Sequence, residues 1–481
     1  MNTYRDFLRG IGWIGSLRWS GQIISWASTL IVMRLLHPED YGLFGMAIVF
    51  VTAAQVIAEF GIGSTIVAMQ KLSKEDESQL HSVSTLFGFS AFIVALAAAY
   101  PISQFFREPR VVALVFALGV PLFINSVMTV PLALATKKLD YPTMAISDLL
   151  RTLMGAFISL AFAFAGAGVW ALVIAQIAAA ISATLFLLVR VPTSFSFPQI
   201  SRIIVPLKYS REIIVERLAW MFYSSMPAII GGRLLGADGL GVYVFAFTIA
   251  SMPGEKLVNI ITSVATPLLA RAQSDASQLR SLLAKLVEGI AIVTWPLLVG
   301  LALVSSLLIE VVFGERWSNA DTSIKILSIY FIIKVVMTPF GQLFLVTGQA
   351  KLNRQLSVLA ALLLPVAFFL GAQIVGPTGL SLAWWITVPI FLAPSLSLLK
   401  RIVGFGPFQF FNVVIRIVLC VAVMAGAVTL SMYIFNSSAR FQLVSAIIVG
   451  AIVYMSAIFF VKRSAILRLL SEYRKANVKD A

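Results

Sequence analysis

Runs of roughly twenty apolar residues, separated by short charged or Pro/Gly-rich stretches, recur along the whole 481-residue chain. An α-helix needs about 20 such residues to cross a bilayer core. Cutting the chain at its polar breaks predicts fourteen spans: 12–33, 42–64, 83–103, 111–135, 143–165, 168–190, 212–234, 241–267, 286–308, 322–346, 355–375, 378–399, 411–434 and 441–461. The stretch 192–211 between the sixth and seventh is too polar to span. Its Ile200, Ile203, Ile204 and Leu207 stand at helical spacing with Arg202, Lys208 and Arg211 around them, which predicts a helix lying in the cytoplasmic interface and kinked at Pro206.

The pattern also repeats. Residues 34–47 (Arg-Leu-Leu-His-Pro-Glu-Asp-Tyr-Gly-Leu-Phe-Gly-Met-Ala) lie without a gap over residues 233–246 (Arg-Leu-Leu-Gly-Ala-Asp-Gly-Leu-Gly-Val-Tyr-Val-Phe-Ala). Arg34 falls on Arg233, Gly42 on Gly241 and Ala47 on Ala246, with acid over acid at Glu39 and Asp238. Sixteen residues upstream, Arg18 falls on Arg217. Leucines match by chance in so apolar a chain; arginines in or beside apolar segments do not. Spans one and seven enter from the same side, so the two halves run parallel, related by an axis along the membrane normal. The expectation is an all-α integral membrane protein with two six-helix lobes, 1–191 and 212–400, around a central cavity. The linker 192–211 joins the lobes, spans thirteen and fourteen (401–462) form an appended pair, and a basic tail occupies 463–481.

Composition agrees with the class. Apolar residues make up 59% of the chain and charged ones 12%, with mean hydropathy +0.95, against about 45–50% and about 25% in a soluble domain. The opening Met-Asn-Thr-Tyr-Arg-Asp-Phe-Leu-Arg has no signal-peptidase pattern and leads into a full span, so it reads as uncleaved. One cysteine and two histidines supply no metal-ligand cluster, and no cofactor is expected. Of the 36 Lys and Arg, 23 fall in loops and tail on the N-terminal side of the membrane and 7 on the other, which places both termini in the cytoplasm. The net charge of +15 is therefore mostly topology. It points to anionic lipid headgroups and not to nucleic acid, because no basic face belongs to an aqueous domain.

Five cations lie deep within spans: Arg18, Arg151, Arg217, Lys256 and Lys334, with Arg416 near a mouth. A charge at the bilayer centre costs about 2.5–3.5 kcal/mol, so five facing lipid would cost on the order of 12–17 kcal/mol. They must face a hydrated interior. Arg18 and Arg217 stand about 8–10 Å inside their helices at 1.5 Å per residue, at equivalent positions of the two halves, and are candidates to share one anionic group. A guanidinium fork donates two hydrogen bonds at once to a phosphate. Snorkelling toward the interface is the competing reading at that depth; Lys334, near mid-membrane, has less room for it. Lys256 follows the helix-breaking Pro253-Gly254. Glu59, Asp148, Glu216 and Glu255 are the acids within spans and the candidates for coupling to H+ or Na+. Asp148 and Arg151, three apart, can instead pair along one helix face, and Glu59 can pair across helices.

Residues 34–45, together with Pro253-Gly254-Glu255-Lys256, Pro267, Pro296 and Phe313-Gly314-Glu315-Arg316-Trp317 in that order, resemble the polysaccharide and oligosaccharide flippases of the MOP superfamily. The likeness is to Wzx-type exporters of the WzxC kind, and it runs through residues 1–400. It implies a non-enzymatic carrier in the bacterial inner membrane. Such a carrier moves undecaprenyl-diphosphate-linked sugar units from the cytoplasmic to the periplasmic leaflet by alternating access, for O-antigen, capsule or exopolysaccharide biosynthesis. A polysaccharide polymerase or other assembly protein is the partner it implies. A MATE-like cation or drug antiporter stays open as an alternative, and a membrane polymerase or ligase less so. The deep charges, five basic to four acidic, lean toward an anionic substrate, and no nucleotide motif or catalytic set is present.

Overall fold

The computed structural model describes residues 21–59, 62–68, 72–197, 200–435 and 438–479. All regular structure among them is helical. The chain runs through α1 (21–35), α2 (Pro38–Glu59), α3 (Ile62–Ala68), α4 (Lys74–Phe106), α5 (Val111–Lys137), α6 (Tyr141–Phe164), α7 (Trp170–Arg190) and α8 (Ile200–Arg271). It continues through α9 (Ala276–Leu308), α10 (Asp321–Val346), α11 (Ala350–Val375), α12 (Pro377–Ala383), α13 (Thr387–Val403), α14 (Pro407–Ile434) and α15 (Ala439–Lys479). Eleven helical stretches among the described residues are long and apolar enough to cross a membrane. The first expected span, 12–33, begins outside the described residues.

Polar residues at the ends account for where helices start and stop. Ser73 and Asp76 close a capping box at the head of α4, the Ser73 hydroxyl accepting from the Asp76 amide at 3.1 Å and the Asp76 carboxylate from the Ser73 amide at 3.1 Å. Asp140 and Asp275 cap α6 and α9 with their side chains alone, Asp140 accepting from the Thr143 amide and Asp275 from those of Ser277 and Gln278. The break expected between spans seven and eight is a single residue. The helical run of α8 is interrupted at Gly236, whose φ of 70° and ψ of −169° belong to a region that essentially only glycine adopts. The stretch after α9 that reads as an outer loop is two helical turns, a π turn Ile309–Phe313 and a 3-10 turn Glu315–Ala320, folded over a fully buried Trp317. Lys325 pairs with Asp321 at 2.7 Å, and the Ser305 hydroxyl donates to the same carboxylate, so the head of α10 is tied to the end of α9.

Internal contacts divide the chain into two units, Met1–Phe245 with Ala361–Pro377, and Ala246–Ala360 with Thr378–Ala481. In the first, α4 packs on α5 and α6 on α7, with α2 and α7 also against α5. The extended strap 192–197 lies along α4: Ser194 and Ser78 hydroxyls meet at 2.6 Å, the Ser196 amide donates to Ser82 at 3.0 Å, and Phe195 stacks on the His81 ring at 4.2 Å. In the second unit α9 is the hub, touching α10, α13, α14 and α15. The α14–α15 pair is anchored there by the Tyr454 hydroxyl, which donates to the Ile292 carbonyl at 2.6 Å.

Between α4 and α5 the Arg110 guanidinium pairs with Glu108 at 2.7 Å and also with Glu39. That hydrogen bond holds the Glu108 carboxyl below the usual carboxylate range, and the two acids push the guanidinium up. A depressed carboxyl pKa stabilises the fold at neutral pH and loses that contribution only as pH falls through the lowered value. The cluster is half-exposed, so Arg110→Ala is expected to cost no more than about 1 kcal/mol. Thermal melts in detergent should show a small drop at neutral pH that vanishes in acid; a drop that persists there would mean the contact is not electrostatic.

Candidate functional site

Lys334 sits in α10, thirteen positions after Asp321, about 20 Å along the helix from its head at 1.5 Å per residue. Tyr330 is one turn earlier on the same helix face. Trp384 comes from a 3-10 turn, Trp384–Ile386, that separates the short α12 from α13 within one span. Thr387 holds this turn: its hydroxyl donates to the Trp384 carbonyl at 2.6 Å and lies 3.1 Å from the Tyr330 hydroxyl. Tyr330 and Trp384 are buried, their rings 5.9 Å apart. Phe247 of α8 completes the cluster, 5.8 Å from Trp384 and 5.4 Å from Phe331.

Against this wall lies the half-buried Lys334, its Nζ 5.3 Å from the Trp384 ring centre and 5.9 Å from that of Tyr330. A ring face stabilises a partly desolvated ammonium by about 1–2 kcal/mol. Two faces therefore offset most of the roughly 2.5–3.5 kcal/mol that a mid-membrane cation costs. Rings do this without cancelling the charge.

The other candidates are placed unevenly. Arg151 of α6 is half-buried and donates to the Asn125 side-chain oxygen of α5 at 3.0 Å, with the Met128 sulfur at 3.2 Å. Asp148 is exposed, three residues before it on the same helix. Glu216, Arg217, Glu255 and Lys256 all lie on α8, and Glu59 is the last residue of α2. Arg18 lies outside the described residues. The backbone at Gly254 passes so close to α10 that a Cβ there would stand 2.5 Å from a Val335 methyl. The segment carrying Glu255 and Lys256 is thus brought beside the turn of α10 that bears Lys334.

Sequence reasoning picked Lys334 and missed its surroundings. Tyr330 could have been found from its i, i+4 spacing to the lysine. Trp384 is distant in the chain and meets Lys334 only through packing, with Phe247 behind it against Trp384 and Phe331. No group of three or more His, Cys, Asp or Glu that could hold a metal occurs among the described residues.

The family profile described as polysaccharide biosynthesis protein matches residues 31–322, more than half of the chain. Among characterised relatives, the teichuronic acid biosynthesis protein TuaB of Bacillus subtilis (strain 168) is 26% identical, the match covering 84% of each chain. The lipopolysaccharide biosynthesis protein WzxC of Escherichia coli (strain K12) is 22% identical over 74% of this chain and 73% of its own. Among solved structures, the lipid II flippase MurJ in an inward closed conformation superposes with a TM-score of 0.73 at 14% identity, over 94% of this chain and 99% of that one. That likeness is one of fold: an all-α, multi-pass membrane architecture. The matches lie among transport and polysaccharide-assembly proteins and not among catalytic enzymes.

Proposed function

We propose, from the premise that this chain belongs to the polysaccharide biosynthesis protein family, that it flips a lipid-diphosphate-linked oligosaccharide across the bacterial inner membrane. The lipid is of the undecaprenyl type, and the headgroup passes from the cytoplasmic to the periplasmic leaflet. The fourteen spans form two six-helix lobes plus the appended pair, and the lobes rock about a central cavity while the lipid tail stays in the bilayer. Arg18, Arg151, Arg217, Lys256 and Lys334 draw in the diphosphate-sugar headgroup. Glu59, Asp148, Glu216 and Glu255 are where H+ or Na+ would couple, and a polymerase or other assembly protein receives the product.

The observation that carries this reading is Lys334. A carrier of organic cations offers carboxylates and free ring faces to its substrate. Here the faces of Tyr330 and Trp384 are occupied by the protein's own ammonium, an arrangement that repels a cation and attracts a phosphate. The WzxC-like resemblance and the family match bear on the same substrate class.

Reconstitution tests the activity. The purified protein in vesicles containing an undecaprenyl-diphosphate oligosaccharide should speed the appearance of the glycan to an impermeant oxidant, such as periodate, added outside. A rate no higher than in protein-free vesicles would sink the proposal. The orientation is tested separately: a reporter fused after Lys138 should read cytoplasmic and one after Arg316 periplasmic. The opposite reading at both sites would reverse the direction of the cavity.

A further inference from the structure

Helix α1 presents three unlike sides. Ile23, Ile24, Ala27 and Ile31, gathered on one of them by helical spacing, are all exposed and apolar, the side that lipid covers. A second side packs on α6: a Cβ on Gly21 would stand 2.9 Å from a Leu149 methyl, and the Ser28 hydroxyl donates to the Ala156 carbonyl at 3.1 Å. The third side carries Gln22 and Trp26, one turn apart and both half-buried. Their side-chain nitrogens, Nε2 and Nε1, are shielded from solvent and have no hydrogen-bond partner among the described residues.

Two such donors in one place are unusual, because a shielded N–H without an acceptor is costly and nearly all of them find one. Trp26 lies seven positions before the end of its expected span 12–33, about 10 Å at 1.5 Å per residue, which keeps its indole away from the headgroups that tryptophans usually meet. Its N–H can only donate, and the amide nitrogen of Gln22 also only donates. What this face lacks is a group rich in acceptor oxygens.

The repeat narrows the choice. Four positions before Gln22 in the sequence, Arg18 falls on Arg217, so both halves keep an arginine there. At the next two turns the halves part: Gln22 falls on Met221 and Trp26 on Ser225. A diphosphate presents similar oxygens in opposite directions and can be shared by equivalent residues of two related halves. A sugar has no such symmetry, and a reader for it belongs on one half.

We propose that Gln22 and Trp26 read the sugar attached to the diphosphate, donating to its hydroxyl or carbonyl oxygens, and so help to set which lipid-linked sugar is accepted. The proposal rests on the flippase reading, in which Arg18 takes the diphosphate. The two donors stand about 6 Å apart along the helix axis, a spacing that suits two oxygens of one sugar residue. The indole also offers a flat apolar face to the ring's C–H groups while its polar edge makes the hydrogen bond.

Binding to the purified full-length protein in nanodiscs tests this with two probes. One is undecaprenyl diphosphate; the other is the undecaprenyl-diphosphate oligosaccharide extracted from cells deleted for the gene. The parent protein should prefer the sugar-bearing lipid. Trp26→Phe keeps an aromatic ring and removes the N–H, and Gln22→Leu keeps the bulk and removes the amide. Each should lower that preference about 2- to 12-fold, the worth of one neutral hydrogen bond, with affinity for undecaprenyl diphosphate unchanged. Ser28→Ala, on the side packed against α6, should leave the preference as it is. An unchanged preference in either variant, an equal loss of affinity for both lipids, a matching shift in Ser28→Ala, or no preference in the parent protein would overturn the proposal. Failure of the flippase reading looks different: the parent protein would bind neither lipid.

Discussion

Replacing Lys334 with methionine is expected to cut export about 10- to 150-fold while membrane abundance stays near that of the parent. The range follows from losing one hydrogen bond to a charged group, about 1.5–3 kcal/mol. Methionine keeps the length and packing against Tyr330 and Trp384 and removes only the charge. Folding should tolerate the change, because the insertion cost of a mid-membrane cation disappears along with the ring contacts that offset it. Lys334→Arg keeps the charge and the ring contacts and should retain a substantial part of the export. The measurement is polysaccharide export normalised to protein in the membrane. Full export from Lys334→Met at normal abundance would remove the residue from the site, and with it the main reason for preferring an anionic substrate.

Trp384 separates what the lysine does from what its support does. Trp384→Leu removes the nearer ring face and leaves Lys334 with Tyr330 alone, so the ammonium should lose a contact worth about 1–2 kcal/mol and its fixed position. A smaller loss of export than in Lys334→Met fits a supporting role for the ring.

How much of this could be read from residues alone differs by feature. The helical class and the span pattern follow from hydropathy, because each span must satisfy its own backbone inside lipid. The break between the seventh and eighth expected spans was legible too, since the repeat places Gly236 opposite His37 at the end of an Arg-Leu-Leu run. That the two copies would meet was not: alignment establishes that Gly42 and Gly241 are equivalent, not that they touch. Lys334 stood out because a mid-span charge is costly, whereas nothing in the sequence singles out Trp384, which the 3-10 turn brings against the ammonium. Arg151 illustrates the limit of local spacing. Asp148 is the neighbour that sequence offers; the hydrogen bond that Arg151 donates to Asn125 crosses to another helix and depends on packing that no periodicity encodes. The strap 192–197 is a similar case, because Ser78, His81 and Ser82 form its dock only once α4 is helical.

Arg18 and Arg217 are expected to act as one unit on a single diphosphate. They occupy equivalent positions of the repeat, Arg217 on α8 and Arg18 ahead of the described residues, and the flippase reading assigns them to opposite lobes. Two residues sharing a ligand lose it jointly: once the first arginine is gone, removing the second costs less or more than it would alone. Coupling of about 0.5–3 kcal/mol is the range for residues in one network, and independent sites add within about 0.3–0.5 kcal/mol. The experiment is a double-mutant cycle on headgroup binding with Arg→Gln at each site, which keeps a polar, hydrogen-bonding side chain while removing charge. Additive losses would mean two separate snorkelling arginines, inherited together through duplication and without a common ligand. Arg→Lys distinguishes the kind of recognition. An ammonium supplies charge but not the planar fork that grips two phosphate oxygens at once, so lysine at either position should restore binding only in part. Complete rescue by lysine at both would mean that the path needs positive potential and not bidentate geometry, which would also make the alignment of the two guanidinium groups irrelevant to transport.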